Sequence, residues 1–342
     1  MRTAHILIRK MINHKGPTMT RITRRRMLAL GAGLAAGATP SPSATGANAM
    51  NPKGTPDTAP SFALTRPIHV GTAHLVVSDL DRVRQFYETM LGLKVVEQGM
   101  SGVVLGAGAR PLLTLSTRAD VRPAPRNAAG LFHTAFLMPD RTELGHWLTH
   151  VVARGVRLDG ASDHLVSEAI YLSDPEGNGI EVYRDRAPEE WDFHADGTVE
   201  MATLALDLQG LYDSAPKTAW GGMSDKAAIG HMHLQVGNIP EADRFYEGVL
   251  GLKKMATYPG ASFFGAGTYH HHIAANIWNS RGATAREGAM SGLSDYSLTF
   301  NDQAALDTAL STLESLEIAV DRTAEGHALK DPWGIGLTLK AA

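Results

Sequence analysis

The stretch VGTAHLVVSDLDRVRQFYETMLGLKVV, residues 70–96, returns further along the chain as IGHMHLQVGNIPEADRFYEGVLGLKKM, residues 229–255. His74, Leu75, Val77, Phe86, Tyr87, Leu91, Gly92 and Leu93 recur at a constant offset of 159. In each copy an alternating apolar strand gives way to aromatic and leucine positions at helical spacing, and a glycine stops the helix. Such agreement between two parts of one chain marks a duplication.

A second pair lies inside the first. GLFHTAFLM (130–138) matches GLSDYSLTF (292–300), each ahead of a helical segment, and SDPEGNGIEVY (173–183) matches KDPWGIGLTLK (330–340). Asp-Pro-x-Gly supplies turn chemistry before a closing strand. The chain therefore divides into four units of strand, helix and further strands, an α+β pattern, over about 68–118, 130–184, 229–278 and 292–340. Two halves follow, 67–186 and 229–342, with 187–228 as a connector that has no readable motif.

With 342 residues, 44% of them hydrophobic, there is material for two ordinary domains with real cores. A net charge of −3 gives no basic footprint for nucleic acid. The absence of cysteine excludes disulfides, zinc-thiolate sites and a thiol nucleophile. Fifteen histidines make imidazole the obvious soft ligand, with carboxylates to complete any metal site.

The first 49 residues differ from the rest. TRRRMLALGAGLAAGA (23–38) is a basic run followed by a short Gly/Ala-rich apolar segment, and ANA (47–49) offers small residues for cleavage after Ala49. Thr23, Arg24, Arg25, Arg26, Met27 and Leu28 stand in the order of a twin-arginine export signal, which this segment resembles. The apolar part is far shorter than the roughly 20 residues a spanning helix needs, so cleavage and export, with no stable membrane insertion, are expected rather than anchoring. Residues 50–66, with three prolines and no periodicity, read as a flexible leader.

Four βαβββ units, with FYETMLGL and FYEGVLGL after the first helices and DPEGNGIEVY at a unit's end, resemble the vicinal oxygen chelate superfamily. That superfamily includes glyoxalase, the bleomycin-resistance proteins and the extradiol dioxygenases. More narrowly, GLFHTAFLMPDR, DHLVSEAIYLSDPEGNGIEVYRDRAPEEW and GHMHLQV…YHHHIAANIW are similar to the bacillus-type catechol 2,3-dioxygenases. The likeness runs from residue 67 to 342 and implies pairs of units closing half-open barrels around a metal.

In this superfamily the first-strand ligand stands three residues before a Leu-x-Val motif. That position is His231 in unit three and Thr72 in unit one; the equivalent strands carry His133 in unit two and Asp295 in unit four. The last-strand carboxylate position is Glu181 in unit two and Thr338 in unit four. His133, Glu181 and His231 thus make a two-His-one-carboxylate set, suited to non-haem Fe(II), with Mn(II) sharing its ligand preferences. The set closes only if unit two packs on unit three, and ligand counting favours that inner pairing. Taken singly, each residue has a plainer use: a histidine in an apolar strand is more often a satisfied core residue, and a glutamate more often solvated.

YHHHIAANIW (269–278) reads as the last strand of unit three, where the resemblance implies a histidine that trades protons with substrate. Alternation allows His270 with His272, or His271 with Tyr269 and Ile273; the resemblance leans towards His271. His233 shares a face with His231. His164, Glu168 and Tyr171, on a middle strand of unit two, are candidate substrate contacts, with packing roles at least as common for such residues. The activity implied is extradiol cleavage of a catechol-type aromatic ring with O2. Alternatives are another metalloenzyme of the superfamily (a glyoxalase-like isomerase or lyase, or a hydroquinone dioxygenase) and a metal-free sequestering protein. Members of the superfamily often form homo-oligomers.

Overall fold

The computed structural model describes residues 60–342. The export signal expected at 1–49 and the leader as far as residue 59 lie outside the described residues. Unit one comprises β1 (Ile68–Val76), α1 (Leu80–Met90), β2 (Lys94–Gln98), β3 (Gly102–Ala107) and β4 (Arg110–Ser116). Unit two comprises β5 (Gly130–Met138), α2 (Arg141–Ala153), β6 (Gly160–Asp163), β7 (Ser167–Ser173) and β8 (Gly179–Asp185). The connector carries β9 (Leu204–Ala205) and α3 (Leu208–Ser214). Unit three follows with β10 (Ala228–Gln235), α4 (Ile239–Asp243), β11 (Lys253–Tyr258), β12 (Ala261–Gly265) and β13 (Ile273–Asn276). Unit four has β14 (Gly292–Phe300), α5 (Gln303–Ser315), β15 (Asp321–Thr323), β16 (Gly326–Lys330) and β17 (Gly336–Ala341).

Each unit's helix opens on an Asp or Asn, at 79, 140, 238 and 302, whose side chain accepts from a backbone N–H in the first turn. After the helices of units one and three the chain reverses through Gly92 (φ +63°) and Gly251 (φ +74°), a left-handed conformation that glycine adopts without a Cβ penalty. Among the described residues no helix is long and apolar enough to cross a membrane.

The strands form two sheets. One runs β15-β16-β17-β14-β1-β4-β3-β2 and the other β11-β12-β13-β10-β5-β8-β7-β6-β9. Units two and three therefore share one sheet and units one and four share the other, the inner pairing that ligand counting favours. The halves 67–186 and 229–342 describe the duplication along the chain, whereas each sheet takes one unit from either half. The seam is antiparallel in both: β5 pairs with β10, and β1 with β14.

The register at the inner seam decides where side chains meet. Ala135 on β5 lies opposite Glu181 of β8 on one side and His231 of β10 on the other, while His133 lies opposite His233. His133 is two residues from Ala135 and so shares its face. The outer sheet repeats the frame with other residues. There Ser297 lies opposite Thr338, and Asp295 lies opposite His74. Thr72 N–H donates to Ser297 Oγ (2.9 Å), and His74 bridges Asp295 Oδ2 (2.9 Å) and Ser116 Oγ (2.7 Å). Thr72 and Thr338 put hydroxyls where the inner sheet has His231 and Glu181, and Asp295, at the position of His133, is tied to His74.

The last part of the expected flexible leader is packed instead. Residues Phe62–Thr65 form a short 3-10 turn, Ala63 is buried, and the Phe62 ring lies edge-on to Trp191 at 5.7 Å. Prolines at 52, 56 and 60 suggested an unanchored tail; the apolar pair Phe62 and Ala63 supplies the anchor.

The Asp-Pro-x-Gly turn of unit four buries Asp331. Its Oδ1 accepts from Trp333 N–H and Ile335 N–H, and its Oδ2 accepts from the Tyr246 hydroxyl. Burial raises its pKa from 3.8 to about 6, against the lowering effect of those hydrogen bonds. A raised carboxylate means that the folded state binds more protons than the unfolded chain between the two values. Its stabilising contribution is complete below about pH 4 and is lost as pH rises through 6, a change of about 3 kcal/mol. In Asp331→Asn this slope is absent, because the amide keeps the oxygen acceptor and does not titrate; chemical unfolding at pH 4 to 7 measures it.

Candidate metal centre

Three donors converge where β5, β8 and β10 meet. His133 Nε2 lies 2.9 Å from Glu181 Oε2, and His231 Nε2 lies 3.2 Å from the same oxygen. One donor atom from each residue falls within 4.8 Å of the others, and all three side chains are buried. The small Ala135 between Glu181 and His231 leaves the space into which they point. Gly230, next to His231, leaves room for a neighbour: a Cβ there would stand 1.8 Å from the Tyr183 hydroxyl.

The electrostatics suit a cation. Burial alone would raise the Glu181 pKa, but His231 and His133 beside it outweigh that and hold the carboxyl well below its usual range. Burial lowers His231 to about 4, with Glu181 opposing, so its imidazole is neutral at pH 7. Among the described residues Glu181 pairs with no Arg or Lys, only with these two imidazoles. An ionised carboxylate this deep needs a compensating charge. A buried carboxylate flanked by two imidazoles whose Nε2 atoms face it is the donor set a divalent metal takes, so the residues fit one.

Around the cluster, His271 is the nearest of the triple histidine. Its ring centroid lies 4.1 Å from that of His231, and burial lowers its pKa well below the ordinary value. His270 lies 6.3 Å from His231, ring to ring, with Nε2 2.8 Å from Asp185 Oδ1 and Nδ1 2.8 Å from His271 Nδ1. His272 is turned away: Nδ1 accepts from Ala266 N–H and Nε2 donates to the Ala63 carbonyl, with burial lowering its pKa to about 3. It anchors the N-terminal turn and is remote from the donors. Strict alternation, which would set His270 with His272 or His271 with Tyr269 and Ile273, does not hold, because β13 begins only at Ile273. Residues 270–272 form a bend ahead of β13, so His270 and His271 meet instead of facing apart.

His233 flanks His133 at 4.7 Å between ring centroids, and its Nε2 accepts from the Asn276 amide at 3.0 Å. Tyr171 lies beside the cluster, 5.5 Å from His133, and its hydroxyl donates to His164 Nε2 (2.7 Å). His164 Nδ1 in turn donates to the Ala202 carbonyl of the connector (2.7 Å), which fixes its tautomer. Glu168 sits on the opposite face of β7 from Tyr171, where its carboxylate accepts from Arg141 and Arg184 (2.9 and 2.7 Å), turned away from the donor cluster.

Two contributors escaped the sequence reading. Asp185 stands four residues after Glu181 on the same strand face, so the alternation Glu181, Tyr183, Asp185 carried the signal. Trp191 belongs to the connector and lies edge-on to His270 at 5.2 Å, which no periodicity announced.

Residues 66–182 and 228–338 match the model of the Glyoxalase/Bleomycin resistance protein/Dioxygenase superfamily. The chain is 38% identical over 268 residues to the catechol-2,3-dioxygenase of Bacillus subtilis (strain 168), covering 77% of this chain and 94% of that protein. Among solved structures, a putative dioxygenase from the same bacterium superposes over 80% of this chain and 85% of its own, at a TM-score of 0.55 and 13% identity. A glyoxalase I mutant from Zea mays covers 82% and 96%, at a TM-score of 0.51 and 15% identity. At such identities the solved structures speak for the fold alone. With both sequence segments matched, a relative aligned along nearly its whole length, and the paired sheets around one donor cluster, the chain belongs to the Glyoxalase/Bleomycin resistance protein/Dioxygenase superfamily.

Proposed function

We propose that the protein is an extradiol dioxygenase that opens a catechol-type aromatic ring beside its two hydroxylated carbons, using O2. The observation that carries this is the buried Glu181 with His133 and His231 as its partners, next to a further buried imidazole, His271. The 38% identity to a catechol-2,3-dioxygenase supports the same chemistry. His133, Glu181 and His231 would hold a divalent ion, Fe(II) or alternatively Mn(II), which would supply Lewis-acid activation of the catechol hydroxyls and of O2.

The chain's own residues do the rest. His133, Glu181 and His231 fix the site of reaction on adjacent strands, so both small molecules are held in one geometry. His271, neutral because it is buried, accepts a hydroxyl proton and later returns it. Tyr171, tied to His164, offers a phenolic oxygen on the side of His133. Phe132 and Trp278, rings packed 5.4 Å apart and both near His233, give an aromatic wall for a flat substrate. The cluster of three donors favours this reading over the isomerase one, which needs a fourth. The twin-arginine-like segment supports export as the protein's route, and the family supports a homo-oligomer.

The test is purified protein loaded anaerobically with Fe(II), then given catechol and oxygen. A yellow ring-opened product with stoichiometric oxygen uptake is expected. No oxygen consumption with any of several catechols overturns the proposal, and a metal-free protein that still binds the aromatic assigns it to the sequestering class.

A further inference from the structure

From the hydrogen-bond chain behind His271 we infer that Asp185 is a positioning residue: through His270 it sets which nitrogen of His271 carries the proton. The inference rests on the proposed role of His271 and names what prepares that residue. Asp185 lies on β8, in the half of the chain opposite to the histidines it controls, and both of its oxygens are engaged. Oδ1 faces His270 Nε2 at 2.8 Å, and Oδ2 accepts from the Tyr269 hydroxyl at 2.9 Å. The Tyr183 hydroxyl lies 2.9 Å from that of Tyr269; since Tyr269 gives its proton to Asp185, Tyr183 donates to Tyr269. Tyr183, Tyr269 and Asp185 therefore form a buttress with a single polarity.

That polarity passes on through the histidines. A carboxylate only accepts, so His270 Nε2 carries a proton and donates it to Asp185. With one proton on the ring, His270 Nδ1 has a lone pair. The 2.8 Å contact between the two Nδ1 atoms is then closed by His271 donating from Nδ1. His271 Nε2 is left with its lone pair, ready to accept a proton. The opposite polarity needs a second proton on His270, whose ring lies 6.3 Å from that of His231, beside a cluster built to hold a cation. Outer hydrogen-bond partners of this sort fix tautomer and ring orientation.

Asparagine at 185 distinguishes this from simple support, because it keeps the size and reverses the polarity. Its carbonyl oxygen still accepts from Tyr269, while its NH2 donates to His270 Nε2. His270 then carries its proton on Nδ1 and donates to His271, whose own proton moves to Nε2.

The experiment is long-range proton–nitrogen correlation NMR on 15N-histidine-labelled full-length protein, metal-free, with signals assigned from His270→Gln and His271→Gln. The Nδ1–H form of His271 is expected in the wild type and the Nε2–H form in Asp185→Asn. Fe(II)-loaded Asp185→Asn is expected to lose about 100-fold in kcat on catechol, with KM and Mn(II) affinity changed less than threefold. An Nε2–H His271 in the wild type overturns the inference, and so does an Asp185→Asn protein with unchanged tautomer and turnover. If that variant does not fold, the wild-type spectrum alone decides. Because the spectra need no turnover, failure of catechol cleavage would count against the proposed function and leave the tautomer result standing.

Discussion

On the proposed function, alanine in place of Glu181 is expected to abolish metal binding and to lower catechol turnover by more than about 100-fold, the upper end of the loss seen for outer hydrogen-bond partners of metal sites. Glu181 is the one anionic donor of the cluster, and its oxygen is the point on which both imidazoles converge. Two neutral imidazoles alone leave a divalent cation uncompensated in a buried site, where charge neutralisation matters most. Metal retained after gel filtration, measured by mass spectrometry, is the direct readout, with oxygen uptake beside it. Full metal occupancy in Glu181→Ala would place the ion elsewhere and remove the basis of the proposed chemistry. Glu181→Asp is the useful control: it keeps the charge one methylene short, and so retains weakened metal binding.

The second large effect concerns stability. Glu168 is almost wholly buried against Arg184 and Arg141, with Arg186 Nη2 at 3.8 Å from its other oxygen. Alanine at 168 leaves Arg184, itself mostly buried, without its carboxylate. Breaking a buried pair from one side costs about 3–5 kcal/mol, because the remaining charge keeps its desolvation penalty. The expected result is a lower denaturant midpoint with metal affinity nearly intact, since this network lies on the helix side of the sheet, away from the donors. Replacing both partners, as Glu168→Leu with Arg184→Met, recovers most of the loss. A Glu168→Ala protein of normal stability would mean that solvent already screens the pair.

Much of the fold was legible because the chain states its pattern twice over. The constant offset between the stretches at 70 and 229, and the shared turn chemistry at 174 and 331, lead to four units. Counting ligand types at equivalent positions then leads to the pairing of the middle two, since Thr72, Asp295 and Thr338 cannot complete a site. Glu168 shows what alternation contains when it is applied strictly: it stands three residues before Tyr171, an odd number, and so on the other face. The triple histidine was harder, because period-two logic fails once the backbone bends, and the bend at 270–272 depends on Ala63 and Ala266 capturing His272. Trp191, although it ends the motif at 163–191, and Ala202 were given no role by the sequence. Both lie in a connector whose residues follow no strand or helix rhythm and whose positions come from packing over the finished sheet.

Because Glu181 and His231 are separated by 50 positions and belong to different copies of the repeat, an ion shared between them would act as a clasp. It would close a loop that includes the whole connector, and an unfolding chain would first have to let the ion go. Resistance to denaturation would then follow free metal concentration as well as sequence. Cleavage of the chain within 187–228 leaves one fragment with two donors and the other with one, so neither copy of the duplicated pattern is expendable.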